Sequence, residues 1–182
     1  MSVFIMSLDN LAAQLGEHKQ KYPPVELWDP PYCGEIDIEI KANGIWLYNG
    51  SEIKRKPLVK LFASVLKKEQ DDYFLVTPVE KVKIKVEDAP LILTQWQWSD
   101  EQQKTIEVST NLDDVFLLDE SHPIDIQPDG SLQIIVRRNL TAKVHRNVYY
   151  QWIDLGIEKA TEQGTALVIN SAGTEFNLGF VD

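Results

Sequence analysis

Four arginines, Arg55, Arg137, Arg138 and Arg146, stand in a 182-residue chain whose 18 basic residues face 28 acidic ones. A guanidinium presents a planar fork of donors that matches phosphate or carboxylate, so scarce arginines in an acidic protein are the first candidates for recognising an anion. Arg55 precedes a predicted helix, Arg137 and Arg138 end a predicted strand, and Arg146 opens a second helix beside Asn147. Arg55 and Arg146 thus occupy comparable strand-to-helix junctions. The competing assignment for each is a surface ion pair with the abundant carboxylates, worth little to stability.

Other chemistry is harder to assemble. A phosphate-cradling loop needs closely spaced glycines before a helix, and neither G-x-G-x-x-G nor G-x-x-x-x-G-K-[ST] occurs. His18, His122 and His145 are scattered singly, without the paired spacing of a zinc site, so no metal and no cofactor is assigned. There is no G-x-S-x-G elbow, and no spacing ties the lone Cys33 to a histidine, so Cys33 reads as a small buried filler. Catalytic residues are therefore assigned nowhere. Glu35, Asp37 and Glu39 share one strand face and Lys81, Lys83 and Lys85 share another. The first set reads as a solvated face behind three isoleucines, and the lysines as a guard against edge-to-edge aggregation.

Charge narrows the partners. Lys and Arg number 12 against 14 Asp and Glu in residues 1–90, and 6 against 14 in residues 91–182, for a net charge of −10. That balance opposes attraction to nucleic acid or to an anionic membrane. A single cysteine, no bilayer-length apolar stretch and no basic segment ahead of Val3–Met6 predict a protein of the reducing cytoplasm.

The elements that must position these groups follow from periodicity. Asp9 to Lys21 reads as a short helix stopped by Pro23 and Pro24. Ile36, Ile38 and Ile40 alternate with charged residues as in a half-buried strand, Asn43-Gly44 and Asn49-Gly50 supply tight turns, and Ile45 to Tyr48 returns. Leu58, Leu61, Phe62, Val65 and Leu66 recur at helical spacing over 57–68, behind Pro57 at a first turn. Further strands are predicted at Tyr73–Val76, around Val82, Ile84 and Val86, at Leu91–Trp98 and at Thr105–Thr110. Ile124-Asp125-Ile126, an Asp129-Gly130 turn, a strand over 132–137 and a helix near 147–157 repeat the grammar that began at Ile36-Asp37-Ile38, which points to an internal duplication. A last hairpin is expected over 165–178. Strands and helices are grouped rather than alternating, so the fold class is α+β: two similar subdomains of antiparallel sheet, each with a packed helix. The boundaries predicted are 1–24 for an N-terminal helix and linker, 25–98 for the first subdomain and 99–182 for the second.

Several strings together resemble a bacterial family known as domain of unknown function 1285. They are Pro23-Pro24 before Trp28, Cys33-Gly34, NGIWLYNGSEIKR at 43–55, LVKLFASVL at 58–66, LVTPVEKVKIKVEDAP at 75–90, Thr110-Asn111, VRRNL at 136–140, and Arg146 with Tyr149 and Tyr150. The likeness covers nearly the whole chain. It implies a duplicated α+β core, a C-terminal half loosely like a pleckstrin-homology fold, and a cleft between the halves for a nucleotide-like ligand in signalling. The polar residues inside the matching strings, Arg55, Thr77, Glu80, Asn111, Arg137, Arg146 and Tyr150, are the candidate ligand-binding set. One departure stands out: the family's last hairpin reads tryptophan then Ser-Gly-Gly, where this chain has Ile169-Asn170 before Ser171-Ala172-Gly173.

Three functions follow as expectations. The leading one is a non-enzymatic module that binds or senses a small anion, with a nucleotide as one candidate, between two halves. The second is a hydrolase using Glu80 or Asp88 as general base. The third is a protein-interaction adaptor anchored by exposed Trp96, Trp98 and Trp152. Composition sets no oligomeric state.

Overall fold

In the computed structural model, which describes residues 7–16 and 22–181, the alternating runs around Ile36, Ile38 and Ile40 and around Val82 and Ile84 become strands that bury those apolar residues on one face. The chain divides into two units, residues 1–88 and 89–182. The first begins with α1 (Leu8–Leu15), capped by the Ser7 hydroxyl accepting from Asn10 N at 3.2 Å and burying Leu11 and Leu15. The rest of the predicted first helix, residues 17–21, lies outside the described residues.

Six strands of the first unit form one sheet. β1 (Tyr32–Ile40), β2 (Trp46–Tyr48) and β3 (Ser51–Glu52) run outward from its centre, α2 (Lys56–Ser64) follows, and β4 (Leu66–Glu69), β5 (Asp72–Val76) and β6 (Lys81–Val86) run back, giving the order β3-β2-β1-β6-β5-β4. The first and last strands, β1 and β6, therefore lie side by side and parallel, while every other pairing in this sheet is antiparallel. Asn49 (φ 48°) and Gly50 (φ 80°) form the left-handed pair that a two-residue hairpin requires. α2 stops at Ser64, short of the predicted 68. Leu66 to Glu69 instead pair with Leu75 to Asp72, so Leu66 stays buried in a strand rather than on the helix.

The charged stripes of β1 and β6 prove to be neighbours. Glu35 lies opposite Lys83 and Glu39 opposite Lys85 across the parallel pair. On the other side, Lys81 Nζ meets Glu69 Oε2 at 2.7 Å and Lys83 Nζ meets Asp72 at 3.3 Å. β6 is flanked on both sides by β1 and β5, so the lysines guard no edge. They neutralise carboxylates on the outer face of a continuous sheet, where opposed charges directly across a ladder are stabilising.

The second unit repeats this topology. β7 (Leu91–Trp98), β8 (Ile106–Thr110) and β9 (Val115–Leu117) run outward, and β10 (Ile124–Ile126), β11 (Leu132–Arg137) and β12 (Leu140–Val144) run back, in the order β10-β11-β12-β7-β8-β9. Numbered within its own unit, each sheet reads third, second, first, sixth, fifth, fourth, again with a parallel central pair. The duplication is real at the level of the sheet, but its phase differs from the predicted one. β1 corresponds to β7, so Ile36, in the first strand of its sheet, and Ile124, in the fourth of its own, lie in non-equivalent strands. The helices differ too: α2 follows the third strand of its sheet, and α3 (Arg146–Leu155) follows the sixth. Because β7 pairs with β8 and β12, the division falls ahead of it rather than after residue 98.

After α3 come three strands with no counterpart among the described residues of the first unit: β13 (Ile157–Thr161), β14 (Gly164–Ser171) and β15 (Thr174–Val181). The core of the second unit joins Leu93, Ile106, Ile134 and Val144 of the large sheet to Val148 and Trp152 of α3 and to Ile169, Phe176 and Leu178 of the hairpin. Ser171, fully buried, fastens the two sheets: its hydroxyl donates to Leu118 O at 2.6 Å and accepts from Ile106 N at 2.8 Å.

Candidate functional site

The first turn of α3 is held firmly. His145 caps it, with Nδ1 accepting from Asn147 N at 3.2 Å, and His145 N donates to Leu93 O of β7 at 3.0 Å. Val148 and Trp152 point into the core, so the opposite side of the helix carries Arg146 and Tyr150 outward. With Tyr149 they line a groove of about 350 Å³, completed by Lys143 at the end of β12 and by Asp129 to Leu132 of the β10–β11 turn. That volume lies in the range of small-molecule sites. The two tyrosine rings are 6.0 Å apart, and Tyr150 is 57% exposed. The Arg146 side chain is exposed and makes no ion pair among the described residues.

Asp129 is the one carboxylate of the groove. It accepts from the Ser131 hydroxyl at 2.5 Å and from Ser131 N at 2.9 Å. The hydroxyl first, then the amide, and also the charge of Lys143 hold its carboxyl below the usual aspartate range, so it is ionised at neutral pH. The groove thus offers two cations, one anion and two aromatic rings.

The other predicted site residues have structural partners or stand apart. Arg55 is the exposed residue before α2, with no side-chain contribution to the cap. Thr77 and Glu80 share the β5–β6 turn, where the Thr77 hydroxyl accepts from Val79 N and Glu80 N at 3.2 and 2.9 Å. Glu80 is buried and accepts from Gln14 Nε2 of α1 at 3.0 Å. Asn111 Oδ1 accepts from Ile92 N at 3.0 Å, fixing the β8–β9 turn to β7. The Arg137 guanidinium meets Asp114 at 2.8 Å, and Asp114 in turn accepts from the Thr110 hydroxyl at 2.8 Å. Of the seven, Arg146 and Tyr150 meet in this groove. Lys143, Tyr149 and Asp129 complete it and were not in the predicted set. Lys143 was hidden because β12 was not predicted, although Leu140, Ala142 and Val144 alternate as a strand requires.

Trp152 is fully buried, so it cannot be an exposed anchor, while Trp96 and Trp98 are half-buried and stacked edge to face at 5.6 Å. His122 donates from Nδ1 to Ile135 O at 2.8 Å, and its ring lies against Phe116; His18 lies outside the described residues. Cys33 is half-buried, its thiol directed at Pro31 O. Among the described residues no cluster of metal-ligating side chains occurs, and no helix is long and apolar enough to cross a membrane.

Comparison with known proteins decides the family. The model described as domain of unknown function (DUF1285), N-terminal domain, matches residues 23–89, and that of the protein of unknown function (DUF1285), C-terminal domain, matches residues 90–178. The chain belongs to the DUF1285 family. A crystal structure of a DUF1285 family protein from Silicibacter pomeroyi is 35% identical, with a TM-score of 0.80 over 94% of this chain and 95% of that one. Another DUF1285 protein, from Shewanella baltica, is 32% identical, with a TM-score of 0.54 over 64% of this chain and 90% of the other. No curated protein matches the chain. The junction of the two DUF1285 models, between residues 89 and 90, falls beside the division of the fold between residues 88 and 89.

Proposed function

We propose that this DUF1285 protein is a binding module for a small organic anion, a phosphate or a carboxylate, taken in the groove at the start of α3. The observation that carries this reading is Arg146: a guanidinium without an ion-pair partner among the described residues, in a unit rich in carboxylates, opening on a groove of about 350 Å³ beside Lys143 and two tyrosines. An arginine surrounded by excess acid would ordinarily be neutralised by it. Here the fork faces space instead, and Lys143 adds a second positive charge on the same groove. Tyr149 and Tyr150 supply flat apolar surface with hydroxyl tips, suited to the body of an organic anion. Such a module would serve to sense its ligand in bacterial signalling, with a nucleotide as one member of the ligand class.

Isothermal titration of the full chain against a panel of nucleoside monophosphates, sugar phosphates and short carboxylates tests this. At least one probe binds the native protein, and Arg146→Gln weakens it by about tenfold, the loss of one forked charge-assisted contact. The melting temperature stays unchanged, since the Arg146 side chain is exposed. No heat from any probe, or equal affinity in Arg146→Gln, would overturn the proposal.

A further inference from the structure

The groove at α3 is not uniformly basic, and its one acid is fixed rather than mobile. Asp129 sits in a turn closed by Gln127 N to Ser131 O at 2.8 Å, and its carboxylate is held by the hydroxyl and amide of Ser131. A site built for a bare phosphate or a polyanion gains nothing from a permanent negative charge on its wall, because like charges a few ångströms apart repel. Resting on the anion-binding reading above, we infer that the preferred ligand is a zwitterion or its close equivalent: an anionic head for Arg146 and Lys143, joined by a short linker to an ammonium or other N–H donor for Asp129. A groove of about 350 Å³ suits a compact molecule rather than a polymer.

Matched probe pairs test this by changing only the cation. O-phosphoethanolamine is compared with ethyl phosphate, and β-alanine with propionate, by titration of the full chain; the two pairs separate phosphate from carboxylate as the anionic head. In the native protein the zwitterion of at least one pair binds roughly threefold to fivefold more tightly, the scale of one partly exposed ion pair. Asp129→Asn keeps an acceptor for Ser131 N, and so the turn, but removes the charge. In that variant the preference within the pair disappears and the simple anion binds more tightly than before. Equal affinities within both pairs in the native protein, or a preference that survives Asp129→Asn, would overturn the inference while leaving anion binding intact. Failure of all four probes in a protein that does bind other anions would also overturn it. Binding that is indifferent to Arg146→Gln sinks the parent reading instead.

Discussion

Ala172 shows how a single side chain departs from what its backbone asks for. It lies in the β14–β15 turn at φ 53°, ahead of Gly173 at φ 77°, and its amide donates to Lys104 O at 2.9 Å. A methyl group in the left-handed region costs about 1–2 kcal/mol, while a glycine gives the unfolded chain extra entropy whose loss on folding costs about 0.4–1 kcal/mol. Ala172→Gly is therefore expected to stabilise the protein by about 0.5–1 kcal/mol, read as a shift in the midpoint of urea unfolding; a lower midpoint would show that the turn tolerates the methyl without strain. The neighbouring Ser171 explains why the turn is kept at all, since its buried hydroxyl ties the hairpin to Leu118 and Ile106. At this scale the sequence was partly legible. Arginine scarcity led to Arg146, but the same reasoning could not separate it from Arg137, whose guanidinium is engaged by Asp114, a residue 23 positions away. Nothing local in a sequence marks which carboxylate will reach which arginine. Thr77 and Asn111 are polar members of the family's strings, yet both serve turns whose hydrogen bonds depend on strand pairing.

Elements are where periodicity spoke most clearly and where its limits lie. Alternation located β1 and β6, and the Asn-Gly dipeptides located the turns on either side of β2, because these signals are local. The end of α2 was misplaced because Val65 and Leu66 are buried on either assignment, and only pairing with β5 decides between helix and strand. The β6 lysines read as edge protection for a similar reason: strand order is invisible in a single strand, and β6 lies between β1 and β5. Their actual role is testable through Glu69. Its carboxyl is held below the usual glutamate value of 4.5, first by the hydrogen bond from Lys81 and then by that from Lys67. A depressed folded-state pKa means the contribution is present above 4.5 and fades as pH falls through the folded value. The native protein should thus exceed Glu69→Gln in stability at pH 6, with the two converging in acid. A gap independent of pH would show that the charge is not what matters. The junction of α3 and β13 offers a steric test. A Cβ at Gly156 would lie 2.6 Å from Leu167 Cγ, a buried side chain of β14. Overpacking of this kind typically costs about 1–3 kcal/mol. Gly156→Ala should lower stability by that amount, and a melting temperature equal to the native one would mean that Leu167 moves aside freely.

At the scale of the whole chain, grouping of strands and helices pointed correctly to an α+β fold with two similar halves, yet the halves were aligned out of phase. The repeated run of strand, turn, strand, helix that begins at Ile36 and again at Ile124 is genuine as sequence, but in the first unit it opens the sheet and in the second it closes it. Only the parallel pairing of first with last strand, β1 with β6 and β7 with β12, reveals the true correspondence, and that contact spans an entire unit. Such long-range closure also bears on folding. Every member of the second unit's core, from Leu91 to Leu178, lies within residues 89–182, and both edges of its first strand are satisfied by strands of the same unit. A fragment of about ninety residues sits within the size at which domains fold alone. Residues 89–182 expressed without the first unit are therefore expected to unfold in one cooperative thermal transition, with dispersed amide resonances. The central strands must wait for β12 to return to β7 before the sheet is complete, so folding of this fragment should be slow for its length, as sheet-rich domains with distant pairings are. A truncation at residue 99 supplies the control: it removes β7, leaves β8 and β12 with open edges, and should abolish the transition. A cooperative melt in the truncated fragment would mean that the parallel centre is not what closes the sheet.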